Sequence, residues 1–221
     1  MADKEENSVK ITIDSISLGG NLDIPGGAKG IVIFAHGSGS SRFSPRNRFV
    51  AGYLQGQGLA TLLFDLLTPG EEEIDNQTAQ FRFDIEMLAE RLVAVTDWVV
   101  ENPATANLKI GYFGASTGAA AALIAASERP GQTRAVVSRG GRPDLADRAL
   151  ANVKAPTLLI VGNMDSPVIE MNKWALERLD SEKRMELVRG ATHLFEEPGT
   201  LEEAARLAGE WFSKYLGSNK G

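Results

Sequence analysis

The stretch Leu108-Lys109-Ile110-Gly111-Tyr112-Phe113-Gly114-Ala115-Ser116-Thr117-Gly118-Ala119-Ala120 limits the fold more than any other part of the chain. It reads as a buried strand, a five-residue turn and the first turn of a helix, with Ser116 at the apex. A Gly-x-Ser-x-Gly bend needs glycine two residues either side of the serine, because a side chain there would strike the neighbouring strand or helix. The bend holds the hydroxyl over the sheet edge at a strained φ/ψ. The following helix aims its free N–H groups and positive dipole end at the same spot, where developing negative charge is stabilised. The five-residue pattern is common on its own. Ile110, Tyr112 and Phe113 before it and the run Ala119 to Ala126 after it supply the strand and narrow helix that give it meaning.

Around this bend, strands and helices alternate. Val9 to Ile13 has the period-2 pattern of a half-buried strand, and Leu22 to Pro25 is expected to return as a hairpin arm after a turn at Gly19-Gly20. Gly30 to Ala35 is a continuous apolar run, as in a strand covered on both faces, and runs into the loop His36-Gly37-Ser38-Gly39-Ser40-Ser41. A helix over Pro45 to Gln57 and a strand over Leu59 to Phe64 follow. Asp65 to Gln80, with Glu71, Glu72, Glu73 and Asp75, is expected to be a solvated acidic loop. Ile85, Leu88, Leu92, Val95 and Val99 mark a helix to about Asn102.

After the Ala-rich helix come a strand over Arg134 to Ser138 and a short helix over Leu145 to Ala151. A strand over Pro156 to Val161 leads into a helix from Pro167 to about Leu179. A strand over Arg184 to Val188 and a closing helix over Thr200 to Leu216 end the pattern. The class is therefore α/β: a mostly parallel twisted sheet with helices on both faces and an N-terminal antiparallel hairpin, ligands lying at the carboxyl ends of the strands.

At 221 residues the chain suits a single domain, with flexible tails expected at 1–7 and 217–221. It contains no cysteine, which excludes disulfides, a thiol nucleophile and thiolate metal sites. Neither a cofactor nor a metal is expected. The charged start Met1-Ala2-Asp3-Lys4-Glu5-Glu6-Asn7 has no apolar segment behind it, which predicts a cytoplasmic protein. The longest apolar stretch, Ala119 to Ala126, is far short of the roughly 20 residues of a membrane span. A net charge of −6 argues against nucleic acid or membrane as partners and leaves a small molecule, with a homodimer open.

Ser116, Asp165 and His193 all fall where strands end, in the order serine, acid, histidine. A serine hydroxyl needs a base, and histidine can accept its proton and return it to a leaving group. His193 is the expected base, and His36 is expected to hold its loop by hydrogen bonds. Asp165 would orient the imidazole; it also reads as an N-cap before Ser166-Pro167, and Glu170 and Asp65 are rival acids. The expected oxyanion donors are the backbone N–H groups of Thr117 and Ser38. Phe43, Met164 and Leu194 are candidate rim residues, and Arg42, Arg139 and Arg142 could recognise a carboxylate on the substrate.

The loop His36 to Ser41, the turn Gly114-Ala115-Ser116-Thr117-Gly118, the strand end Val161-Gly162-Asn163-Met164-Asp165 and the loop Gly190-Ala191-Thr192-His193 together resemble the α/β-hydrolase superfamily, whose triad has this chain order. Within it the chain resembles the small dienelactone hydrolase-like group, from about Gly30 to Leu216. The resemblance implies Ser116, Asp165 and His193 as catalytic triad and Ser38 and Thr117 as oxyanion donors. Dienelactone hydrolase proper has a cysteine nucleophile where this chain has serine, which favours plain ester hydrolysis over lactone opening. Only Arg139 to Ala155 stands where larger esterases insert a lid, so the cap is minimal or absent and small, short-chain acyl groups are favoured. The expected activity is that of a serine esterase working through an acyl-enzyme. An acyltransferase, thioesterase or lactonase on the same triad, or a binding protein without chemistry, are the other readings.

Overall fold

The computed structural model describes residues 7–217. Eight strands form one sheet in the order β1-β2-β4-β3-β5-β6-β7-β8: β1 (Ser8–Ile13), β2 (Ile16–Asp23), β3 (Gly30–Ala35), β4 (Ala60–Phe64), β5 (Lys109–Ala115), β6 (Thr133–Arg139), β7 (Thr157–Gly162) and β8 (Lys183–Val188). From β4 to β8 all neighbours are parallel, while β2 runs antiparallel to both β1 and β4. The helices are α1 (Pro45–Gly56), α2 (Pro69–Thr78), α3 (Ile85–Glu101), α4 (Thr117–Glu128), α5 (Ser166–Arg178) and α6 (Thr200–Leu216).

Strand alternation divides the core. Ile31, Ile33, Ile110 and Tyr112 face the layer of α3 and α4, whereas Val32, Phe34 and Phe113 face α1 and α6. Because both faces are covered, β3 and β4 are buried at every position, which is why they read as unbroken apolar runs. The chain leaves β3 for β4 on one side and returns to β5 on the other, so the loops after β3 and β5 diverge. The crevice between them is where an open α/β sheet binds ligands.

Three elements depart from expectation. The hairpin turn lies at Asp14 (φ 48°), with Ile13 paired to Ile16, and Gly19-Gly20 sits inside β2. These glycines serve close approach: a Cβ at Gly19 would stand 2.6 Å from the Arg42 guanidinium, and one at Gly20 would stand 3.1 Å from Val9. Asp65 to Gln80 is not a solvated loop but contains α2, started by a capping box in which Thr68 and Glu71 satisfy each other's backbone amides. Two of its four acids are paired: Glu71 with Arg91, which holds the Glu71 carboxyl down to about 2, and buried Asp75 with Arg82 at 2.6 Å, while Glu72 and Glu73 are exposed. The segment between β6 and β7 is a 3₁₀ stretch, Pro143–Asn152, broken at Asp147.

The tails expected at 1–7 and 217–221 lie largely outside the described residues. Of those described, Asn7 O accepts from Leu22 N at 2.9 Å and Gly217 O accepts from Lys109 Nζ at 3.2 Å. Among the described residues no helix is long and apolar enough to cross a membrane.

Candidate active site

Ser116 joins β5 to α4 at φ 51°, ψ −124°, a conformation that L residues seldom hold. Neighbouring backbone maintains it: Ser116 N donates to Arg139 O at 3.3 Å, and Ser116 O accepts from Ala119 N at 3.1 Å and Arg142 N at 3.0 Å. Ser116 is also the N-cap position of α4, yet its hydroxyl makes no cap bond and stays available to the crevice.

Asp165 follows β7 and His193 follows β8, and the two side chains meet, His193 Nδ1 to Asp165 Oδ2 at 2.8 Å. Asp165 occupies the N-cap position of α5 without a capping bond, so its carboxylate serves the imidazole and not the helix. With Nδ1 engaged, Nε2 is the ring nitrogen left to exchange a proton. His193 and Ser116 line one open cavity of about 580 Å³, together with Gly37, Ser38, Ser44, Arg46, Asn47, Arg139, Gly140 and Leu194. Glu170 instead pairs with Lys173, and Asp65 with Arg42.

The loop after β3 carries the expected second oxyanion donor, and its hydrogen bonds can be followed proton by proton. Ser38 Oγ donates its single proton to Arg82 O at 3.0 Å, so in the 2.8 Å contact between Ser38 Oγ and Thr117 Oγ1 the threonine is the donor. Ser38 N donates to Thr117 Oγ1 at 3.0 Å. The Ser38 amide is thus engaged in the substrate-free chain and would have to turn from Thr117 Oγ1 to an oxyanion. The Thr117 amide, the first of α4, has no partner within its helix.

His36 is a loop-holding residue. It is 7% exposed, its Nε2 accepts from Leu66 N at 3.1 Å, and Nδ1 therefore carries the proton and donates to Gly37 O at 3.0 Å. Burial pulls its pKa below the ordinary 6.5. The unfolded chain thus binds this proton more readily. Its contribution to stability is complete above about pH 6.5 and is lost as pH falls toward the folded pKa. We expect the melting temperature to decline below that pH, and His36→Gln to flatten the decline when thermal unfolding is followed across the range.

A second, narrow crevice lies under α2, lined by His36, Asp65, Leu66, Glu72, Asp75, Arg82 and Leu88. Neither Ser116 nor His193 lines it, so the candidate site is the first cavity. Of the candidate substrate contacts, Leu194 lines that cavity, whereas Phe43, Met164 and Arg42 do not. Phe43 and Met164 are more than half exposed, and Arg42 is paired with Asp65 and stacked on Phe43. Sequence reasoning does not single out Ser44, Arg46 or Asn47. Their signal is Ser44-Pro45, the start of a helix whose first turn forms the cavity wall; Ser44 Oγ accepts from Asn47 N at 3.3 Å. Among the described residues no three His, Asp or Glu side chains converge as a metal-ligand set.

Residues 19–216 match the family model described as the dienelactone hydrolase family. The chain belongs to the dienelactone hydrolase family. A crystal structure of a dienelactone hydrolase from Anabaena variabilis is 63% identical, covers 95% of this chain and 97% of its own, and superposes with a TM-score of 0.94. Est1E from Butyrivibrio proteoclasticus, at 16% identity over 94% of this chain and 98% of its own, shares the fold with a TM-score of 0.78. A Mycobacterium tuberculosis protein provisionally named a phosphoribosyl transferase is 54% identical over 96% of this chain. The chain spans about half the length of that curated relative, 47%. Within the dienelactone hydrolase family, this member presents serine at the elbow.

Proposed function

We propose that this chain hydrolyses small carboxylic esters through an acyl-enzyme. In this reading His193 Nε2 takes the Ser116 proton as Oγ attacks the ester carbonyl. Asp165 keeps Nε2 free and stabilises the imidazolium without being protonated itself. The Thr117 and Ser38 amides would receive the oxyanion, each such donor contributing about 3 kcal/mol in comparable sites. The proton passes to the departing alcohol, and water then frees the acid by the same steps. The observation that carries the reading is the His193–Asp165 bond, on a cavity whose wall also holds Ser116 in a strained conformation.

The segment between β6 and β7, where larger esterases insert a lid, is the short 3₁₀ stretch Pro143–Asn152, none of whose residues lines the cavity, which favours short acyl groups arriving from solvent over long chains needing an apolar channel. The mycobacterial relative's transferase name describes a protein about twice the length of the matched stretch, and the acyl-enzyme reading concerns that stretch alone.

A fluorophosphonate tests the nucleophile directly. Mass spectrometry is expected to find one adduct, on Ser116, in the folded protein, and far slower labelling of Asp165→Asn, whose kcat on a 4-nitrophenyl ester should fall about 10⁴-fold as the histidine tautomer changes. A folded wild-type chain that takes no label would defeat the reading and favour a binding protein.

A further inference from the structure

The loop that carries the Ser38 amide is tied down from behind the catalytic cavity. Ser38 lines both that cavity and the narrow crevice under α2, so its loop is the wall between them. On the crevice side, Ser38 Oγ donates to Arg82 O at 3.0 Å, and a Cβ on Gly39 would come within 3.3 Å of Arg82 Nη1. Main chain and side chain of Arg82 both lie against this loop. Neither Arg82 nor Asp75 lines the catalytic cavity.

Residues 79–84, which bear that carbonyl, form neither helix nor strand, and a side chain of α2 fixes them. One carboxylate oxygen of Asp75, a residue 3% exposed, accepts from Phe81 N at 2.8 Å and from Arg82 N at 2.9 Å. The other accepts from Arg82 Nε at 2.6 Å, and the Asp75 carbonyl accepts from Arg82 Nη2 at 2.9 Å. Hydrogen bonds to a buried carboxylate are among the stronger ones a protein makes, so this short segment is firmly placed. With the guanidinium engaged by Asp75, what Arg82 offers the loop is its carbonyl. A bonded line therefore runs from Asp75 through the Arg82 backbone to Ser38 Oγ, on the residue whose amide stands at the site. Arg82 O also sets the direction of that line: it can only accept, so Ser38 Oγ gives up its proton there and accepts from Thr117 Oγ1.

We propose that Asp75 and Arg82 form a strap of positioning residues which, acting through Ser38 Oγ, holds the Ser38 amide where the oxyanion develops. The inference rests on the reading of Ser116 as nucleophile and of the Ser38 amide as oxyanion donor. Because the oxyanion exists only in the transition state, loosening the strap lowers kcat and leaves KM in place. Complete loss of one such donor, about 10²- to 10³-fold in kcat, is the upper bound.

The test follows 4-nitrophenyl acetate turnover in the wild type, Ser38→Ala, Asp75→Ala, Asp75→Asn and the double variant Ser38→Ala/Asp75→Ala. Ser38→Ala keeps the amide and removes only its tether. Ser38→Ala and Asp75→Ala are each expected to lower kcat by about tenfold or more with KM little changed, as for a small misplacement of a transition-state contact. Asp75→Asn, which retains an oxygen for the Phe81 and Arg82 amides, should recover most of the loss. The double variant should lose little more than Ser38→Ala, since both changes cut one line. Additive losses, losses confined to KM, or an Asp75→Ala variant that melts lower but turns over like the wild type would overturn the strap. Where Asp75→Ala does not fold, Ser38→Ala decides alone, and an unchanged kcat overturns it. A second arm needs no turnover: amide hydrogen exchange is followed by NMR in Ser116→Ala and in Ser116→Ala/Asp75→Ala. The Ser38 amide should exchange about tenfold or more faster in the second while the amides of β3 keep their rates, as for local opening. That result sustains the strap even if every ester is inert, in which case the esterase reading falls alone. An active esterase whose kcat ignores Ser38→Ala and Asp75→Ala removes the strap and leaves the esterase.

Discussion

Replacing Ser116 with alanine is expected to lower kcat on a 4-nitrophenyl ester by about 10⁵-fold while leaving the melting temperature near that of the wild type. The chemical part follows from what Ser116 supplies. Without Oγ no acyl-enzyme forms, and in serine enzymes that work as a unit, loss of the nucleophile alone removes about 10⁴ to 10⁶-fold of rate. Some acceleration over water should remain, because the Thr117 amide and the helix that carries it are untouched. The structural part follows from the bonds that hold the elbow. They run through Ser116 N and Ser116 O, not the hydroxyl, so alanine keeps them while still having to occupy φ 51°. His193→Ala should give a comparable loss, and the double variant little more than either single change, since in the proposed mechanism the two residues act on one step. Steady-state kinetics and differential scanning calorimetry on the three variants check this. Near-normal turnover in Ser116→Ala would end the assignment.

How far the sequence discloses this arrangement depends on whether a feature is local. β3, β7 and α6 are legible because burial on two faces, or on one stripe, writes itself directly into residue order. The elbow is legible because only glycines fit around it. The Gly19-Gly20 pair misleads because glycine marks both turns and close approaches, and only the tertiary position of Arg42 separates them. α2 hides for a different reason: its acids resemble a solvated run until Arg91 and Arg82, on and before α3, are folded against them. Its start was still written in Thr68-Pro69-Gly70-Glu71, a capping box with proline at the first helical position.

The site divides in the same way. That serine, acid and histidine lie at strand ends can be read from the elements. That Asp165 meets His193 while Asp65 turns to Arg42 is a fact of three dimensions. Arg139 is the extreme case. Three arginines look alike in sequence, and only packing decides that Arg42 finds Asp65 and Arg142 finds Asp144 while Arg139 is buried against the Phe195 ring.

The second large effect expected is at Gly118, where alanine should both destabilise the fold and disable the site. A Cβ at this position would collide with Ala35 O and come within 2.5 Å of His36 O. These atoms are backbone, at the end of β3 and the start of the loop bearing Ser38, so no side chain can swing aside. Relief requires α4 to withdraw from β3. Overpacking of a rigid site costs about 1–3 kcal/mol, and the absence of a flexible partner places Gly118→Ala at the upper end. For a chain of this size that corresponds to a fall in melting temperature of about 6–12 °C. The same withdrawal separates the Thr117 amide from the Ser38 loop, and a displacement of about 1 Å in such a constellation lowers turnover about 10²-fold. Gly52, inside α1, supplies the control: a Cβ there meets nothing within 4 Å, so Gly52→Ala should raise stability by up to about 1 kcal/mol through helix propensity alone. If Gly118→Ala melted and turned over like the wild type, the close contact of α4 with β3 would not be what holds the serine in place.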